Sequence, residues 1–189
     1  MRRNNNWYVI QVPTGKEEAM CRLIERAGSD TLAECFTPQY ATQKKVRGAW
    51  RNVDAVLFPG YVIAVTDDAD ALNQRLSRVV EYTRMLTMGE RFTPLEDSDR
   101  VWLSSYTSAG NRVIPMSIAE VDEGDCVRVL SGPLMGHEGW IRSVNRRKSL
   151  AFIEVEMFGR KIQTRIGLGV LRKRVSQKSR IENSKIQRV

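Results

Sequence analysis

The stretch that decides the architecture runs Gly124-Asp125-Cys126-Val127-Arg128-Val129-Leu130-Ser131-Gly132-Pro133-Leu134-Met135-Gly136-His137-Glu138-Gly139-Trp140-Ile141. It opens as a strand, because Val127 and Val129 alternate with Arg128 at the period of a sheet with one dry and one wet face. It then breaks into a loop. Gly132, Gly136 and Gly139 allow tight turns or close backbone approach there, and Pro133 stiffens the chain between them. Glycines alone would be a weak sign, since any small β-structure needs them. Downstream the alternation resumes. Ile153, Val155 and Met157 alternate with Glu154 and Glu156, then Ile162, Thr164 and Ile166 with Lys161, Gln163 and Arg165. Turn residues at 123–125, 131–133, 145–148 and 158–159 separate these runs. Five short strands in about 50 residues predict a small barrel.

Upstream, residues 106–118 show neither helical nor strand periodicity, and their Ser, Gly, Asn and Pro content reads as a linker. Before them, strands and helices alternate. Trp7 to Val12 is a short buried strand. Thr14 and Glu17 have the spacing of a capping box, Ala19, Met20, Leu23, Ile24 and Ala27 follow at helical spacing, and Gly28 stands where a left-handed cap belongs. Phe36 to Val46 is extended, interrupted at Pro38, and Arg47-Gly48-Ala49-Trp50 reads as a hairpin tip. Val53 to Leu57 leads into Phe58-Pro59-Gly60, and Tyr61 to Val65 is another apolar strand. Asp67 and Asp68 suit the cap of a second helix through Leu72 and Leu76, Tyr82 to Thr87 suits a further strand, and Asp97 or Ser98 a third helix start. The short connections around 44–61 imply an antiparallel sheet with helices on it. The expected fold is therefore α+β. An antiparallel sheet with helices on it spans 6–105, a linker 106–118, a small five-stranded barrel 119–173 and a flexible basic tail 174–189.

Composition narrows the chemistry. The chain has 189 residues, one histidine (His137) and three scattered cysteines, Cys21, Cys35 and Cys126. Without a Cys-x-x-Cys pair, neither a zinc site nor a disulfide framework is expected, and a reducing cytoplasm fits. Phosphate loops, nucleophile elbows and zincin motifs are missing, no apolar run is long enough to span a membrane, and nothing asks for an enzyme or a cofactor. The net charge of +8 is unevenly placed: residues 1–118 carry +1 and residues 119–189 carry +7. A basic module on a near-neutral one points to a polyanion partner for the basic part.

The glycine-rich stretch with its flanking strands looks like the KOW motif of small barrels in transcription and translation factors. Trp7-Tyr8-Val9-Ile10-Gln11, the capped helix and Phe58-Pro59-Gly60-Tyr61-Val62 resemble the N-terminal domain of NusG, and Phe158-Gly159-Arg160 resembles the late part of its barrel. The resemblance covers residues 6 to about 173 in the right order and implies an antiparallel α/β sandwich joined by a linker to a five-stranded SH3-like barrel. Within the family, Val12-Pro13-Thr14-Gly15-Lys16-Glu17-Glu18 and the Arg/Lys-rich barrel look more like the LoaP branch, processive antiterminators of selected operons.

That resemblance implies docking of the first domain on the clamp helices of RNA polymerase, through Phe58 and Tyr61 with Gln11 and Val62 near them. The basic barrel is expected to hold nascent RNA through Arg146, Arg147 and Lys148 at one turn and Arg160 and Lys161 at another, the two turns converging at one end, with Arg142 and Arg165 extending the patch. Trp140 suits either base stacking or core packing, and His137 suits a loop. Non-template DNA is a further expected partner, at Lys44, Lys45 and Arg47 on the hairpin and at Tyr82, Thr83 and Arg84. The competing reading is a general NusG factor whose barrel binds the Rho factor or the small ribosomal subunit through Phe158. A monomer is expected, with a barrel that stays a barrel, since Gly159, Gly167 and Gly169 penalise helix.

Overall fold

The structure is a computed structural model that describes residues 6–78, 84–85, 87–88, 91–92, 94–121 and 127–171. In chain order the first domain holds β1 (Asn6–Gln11), α1 (Glu17–Ala27), β2 (Leu32–Phe36), β3 (Gln39–Val46), β4 (Ala49–Val56), β5 (Tyr61–Thr66), α2 (Ala69–Leu76), β6 (Arg84–Met85), β7 (Thr87–Met88), β8 (Arg91–Phe92) and α3 (Asp97–Tyr106). A sheet in the order β2-β5-β1-β6 forms its centre, and every pairing in it is antiparallel. Side chains alternate across it. Tyr8, Ile10, Val62 and Ala64 face Met20, Ile24, Leu72 and Leu76 of α1 and α2. Trp7, Val9, Ile63 and Val65 face the other way, into a core with Trp102 and Leu103 of α3 and with Tyr40 and Leu57. The sequence pattern implies an antiparallel sheet with helices on it, and the resemblance an α/β sandwich; this arrangement agrees with both.

Two local expectations change. The α1 N-cap is Lys16, not Thr14, and no side chain caps it. Glu17 instead turns its carboxylate back, accepting the amide of Gly15 at 3.0 Å and that of Gly60 at 2.8 Å. The capping-box glutamate thus serves a distant loop. Gly28 has φ of −104°, so it is no left-handed cap; it is glycine because a Cβ there would lie 2.7 Å from Leu72 Cδ1 and 3.2 Å from the Ile24 carbonyl. The second helix starts as read, with Asp68 Oδ1 accepting the Ala71 amide at 2.9 Å. Cys21 and Cys35 are buried thiols facing each other across α1 and β2, and hydrogen bonding to Cys21 with burial pushes the Cys35 thiol up. Cys126 lies outside the described residues.

The segment expected to be an unstructured linker carries a strand, β9 (Val113–Ile114), parallel to β3 in a second sheet of order β4-β3-β9. Ile114 is fully buried, and Arg112 beside it forms an ion pair with Glu34, its Nε donating to Oε1 at 3.0 Å. The same guanidinium lies over the rings of Phe36 at 4.1 Å and Trp7 at 5.2 Å. Periodicity cannot reveal a strand of two residues.

The second domain holds β10 (Ser117–Val121), β11 (Val127–Ser131), a 3₁₀ turn at Glu138–Trp140, β12 (Ile141–Asn145), β13 (Leu150–Met157) and β14 (Arg160–Leu171). The order is β11-β10-β14-β13-β12, with β10 and β14 parallel. Ala119, Val129, Leu134, Ile153, Val155, Ile166 and Leu168 from around the sheet share one core, as in a small barrel. Residues 172–189, including the expected basic tail, lie outside the described part. Among the described residues no helix is long and apolar enough to cross a membrane.

Candidate functional site

Phe58 and Tyr61 sit at the two ends of the Phe58-Pro59-Gly60-Tyr61 loop between β4 and β5. Gly60 takes φ of +85°, a conformation a side chain would strain, and a Cβ there would also meet Thr14 Oγ1 at 3.0 Å. Three bonds clamp the loop: Val12 N–H to the Gly60 carbonyl at 2.9 Å, Tyr61 N–H to the Phe58 carbonyl at 3.1 Å, and Gly60 N–H to Glu17. Burial pushes the Glu17 carboxyl up, but the amides of Gly15 and Gly60 outweigh it and hold it below the usual carboxylate range.

The barrel covers these aromatics. Phe158, at the β13–β14 turn with φ of +57°, meets Phe58 edge-on at 5.1 Å and Tyr61 at 5.8 Å between ring centres. Phe58 is consequently only 1% exposed, and Tyr61 is half-buried. Around this ring cluster, Trp102 donates to the Pro133 carbonyl at 3.0 Å and packs on Trp140 at 5.4 Å. Asp99 accepts the Phe158 amide at 3.3 Å, and Thr164 donates to the Leu57 carbonyl. Burial raises the Asp99 carboxyl above its usual range, partly offset by that amide. At Gly167 the barrel backbone comes so close to β3 that a Cβ would lie 2.2 Å from the Ala41 carbonyl oxygen.

Of the other docking residues, Gln11 is exposed and pairs with Tyr61, on the same face of the sheet. Val62 is not part of that surface. It has no exposure and points into the α1/α2 layer, because neighbours along a strand face opposite ways.

The basic barrel residues do not converge on one tip. Arg146, Arg147 and Lys148 lie at the β12–β13 turn, and Arg160 and Lys161 just past the β13–β14 turn. In an antiparallel meander those turns stand at opposite ends of β13, and eight strand residues separate them by about 25 Å. Arg142 and Arg165 belong to the outer face between. Arg142 pairs with Glu154 at 3.1 Å, and Arg165 lies over the exposed ring of Phe152 at 5.5 Å. Hydrogen bonds from Gln163 and Arg142 hold Glu154 below its usual range. Phe152 was not singled out by the alternation, which marks only that it faces outward. Trp140 is engaged with Trp102 and stacked by His137 at 4.1 Å, so core packing describes it.

The residues expected at DNA divide between two sheets. Lys44, Lys45 and Arg47 lie on the β3–β4 hairpin, whereas the Arg84 backbone pairs with Gln11 in the central sheet. Tyr82 and Thr83 lie outside the described residues.

A family model described as "Transcription termination factor nusG" matches residues 5–101, just over half of the chain, and one described as "KOW motif" matches residues 123–156. The chain belongs to the NusG family. Relatives named "Transcription termination/antitermination protein NusG" include one from Campylobacter jejuni, 26% identical over 82% of this chain and 90% of its own. Another, from Pseudomonas aeruginosa, is 28% identical with the same coverage. A solved structure described as "Domain interaction in Thermotoga maritima NusG" superposes with a TM-score of 0.55 at 18% identity, covering 88% of this chain and 94% of that one, which speaks to the shared fold. NusG-family proteins are transcription factors that work with RNA polymerase, and not enzymes.

Proposed function

We propose that this NusG-family chain is a specialised elongation factor, an antiterminator in the manner of LoaP. Phe58 and Tyr61 dock on the clamp helices of RNA polymerase, with Gln11 at the edge, and the basic barrel holds nascent RNA. The observation that carries the docking half is the clamped loop. Glu17 and Gly60 fix two aromatic anchors at its ends, and rigid aromatics bury much area with little entropy lost. Docking requires Phe158 to leave them, so polymerase and barrel compete for one face. The bound factor favours the active elongating state, and a preference of about 1.4 kcal/mol shifts that ratio tenfold. For the RNA half, support comes from exposed Arg146, Arg147, Lys148, Arg160 and Lys161 on the barrel. Because these residues form two separated clusters, the RNA they suit is one that crosses the barrel's outer face past Arg142 and Arg165.

The test is transcription through a terminator in vitro. Readthrough should rise with the factor, more on a template with a structured leader, and Tyr61→Ala should abolish it together with polymerase capture. Capture unchanged by Tyr61→Ala would sink the docking reading. One observation favours the general NusG reading as an alternative. Phe158, freed from Phe58 and Tyr61, becomes an aromatic anchor at a barrel end, suited to Rho or the small ribosomal subunit. Capture of either one by the wild-type chain and not by Phe158→Ala would select it.

A further inference from the structure

The β3–β4 hairpin stands out from the rest of the first domain. Its strands pair without a break from Gln39↔Val56 to Val46↔Ala49 and turn at Arg47 and Gly48, whose φ values of +49° and +85° give the tight two-residue loop that suits strand twist. Eight pairs place the tip about 25 Å from the Phe58 end. Towards that tip the ribbon is bare on both faces: Gln43, Lys44, Lys45, Ala49, Trp50, Arg51 and Asn52 are all exposed. Two-stranded ribbons are marginal in water without cover.

Cross-strand partners share a face. One face carries the pairs Lys45↔Trp50 and Gln43↔Asn52, the other Lys44↔Arg51, and Arg47 is at the tip. Trp50 is 51% exposed, and among the described residues no ring or guanidinium packs on it. Lys44, Lys45, Arg47 and Arg51 make no ion pair among the described residues. The nearest hairpin acid is Asp54, which pairs with Ala41 on the same face, two pairs further from the tip than Gln43↔Asn52. Four unpaired cations around an open indole suit a strand that is charged along its backbone and flat at its bases, which is single-stranded nucleic acid.

The amide pair decides between the two kinds of strand. Gln43 Nε2 donates to Asn52 Oδ1 at 3.3 Å, and among the described residues the Gln43 carbonyl and the Asn52 amino group, on the same face as Trp50, have no other partner. They lie about 7 Å along the ribbon from the indole, within reach of the sugar of a stacked nucleotide. A 2′-hydroxyl both donates and accepts, so it can meet both groups at once, and the 2′ carbon of deoxyribose does neither. We propose that the hairpin is an RNA-binding arm. Trp50 stacks an unpaired base, the Gln43/Asn52 pair holds its ribose, and Lys44, Lys45, Arg47 and Arg51 take the flanking phosphates. This site is separate from the barrel's basic turns and from the polymerase-docking loop.

The test uses the full chain and short labelled single strands of RNA and DNA with the same base order, followed by fluorescence anisotropy. Trp50→Ala should weaken RNA binding by about tenfold, as loss of one stacked base does, and Trp50→Phe should restore most of it. Neutralising Arg47 should lower the slope of log affinity on log salt by about 0.7. The substituted side chains are exposed, so folding is not at stake, and capture of polymerase should be unchanged in each variant. Equal RNA binding by Trp50→Ala overturns the arm, and DNA binding as tight as RNA overturns its assignment to RNA. Triple substitution of Arg146, Arg147 and Lys148 separates this from the barrel reading. Loss of all RNA binding in that variant, with none in Trp50→Ala, leaves the barrel as the site. The reverse leaves the hairpin as the site.

Discussion

Glu17 is a first-turn helix residue whose carboxylate spans to a loop 43 residues away. Two charge-assisted bonds are at stake: the one from the buried Gly60 amide is worth about 1.5–3 kcal/mol, and the one from the more exposed Gly15 amide is worth less. Glu17→Ala should therefore lower unfolding free energy by about 2–4 kcal/mol in urea, and Glu17→Gln, which keeps an accepting oxygen, by about half of that. The sign with pH follows from the depressed carboxyl. The stabilisation is fully present above the ordinary value of 4.5 and fades as pH falls through the native, lower value. The gap between wild type and Glu17→Gln should thus be widest near neutrality and close on acidification. A gap independent of pH would show that the charge contributes nothing. The capping-box spacing correctly marked Glu17 as a backbone-binding carboxylate. Its partner could not be read, because spacing along a helix says nothing about a loop that arrives from elsewhere.

Elements were legible wherever their signal was periodic. The β1 and β5 strands, all three helices and the alternating strands β13 and β14 stand close to where hydrophobic spacing puts them. Asp68 is the cap its position suggests, and Asp68→Ala should cost about 1 kcal/mol, lowering the melting temperature by about 2–4 °C in a chain of this size. An unchanged melt would mean that α2 is held by Leu72 and Leu76 alone. Short or tertiary-driven features were not legible. β9 is two residues long, and Arg112 looks like any linker arginine until Glu34, Phe36 and Trp7 surround it. Trp50 likewise read as part of a turn, because the sequence shows its neighbours along the chain but not the lack of cover above it.

At the scale of the whole molecule, the sequence showed two modules and their unequal charge but not their contact. That contact depends on surfaces matching in three dimensions: Phe158 against Phe58 and Tyr61, Trp140 against Trp102, Gly167 against Ala41. Gly167 offers a selective way to break it. A Cβ there meets the Ala41 carbonyl at 2.2 Å and Met116 Cγ at 2.6 Å, both outside the barrel sheet. Gly167→Ala should leave the barrel folded and push it off the first domain. Small-angle scattering should show a larger radius of gyration, and, on the docking proposed above, polymerase should bind several-fold more tightly once Phe58 and Tyr61 are uncovered. An unchanged radius would mean the interface absorbs the methyl group.

The anchoring of Arg112 and β9 has a consequence for how far the barrel can travel. Between Ile114, locked into the hairpin sheet, and Ser117, the first residue of β10, only Pro115 and Met116 remain as slack. Fully stretched, that tether reaches about 10 Å. A displaced barrel therefore stays at a local concentration in the millimolar range and recaptures its face whenever the competitor lets go. Wider excursions demand peeling Val113 and Ile114 away and breaking the largely buried Arg112–Glu34 pair, so the leash length itself is set by a latch that salt screens little.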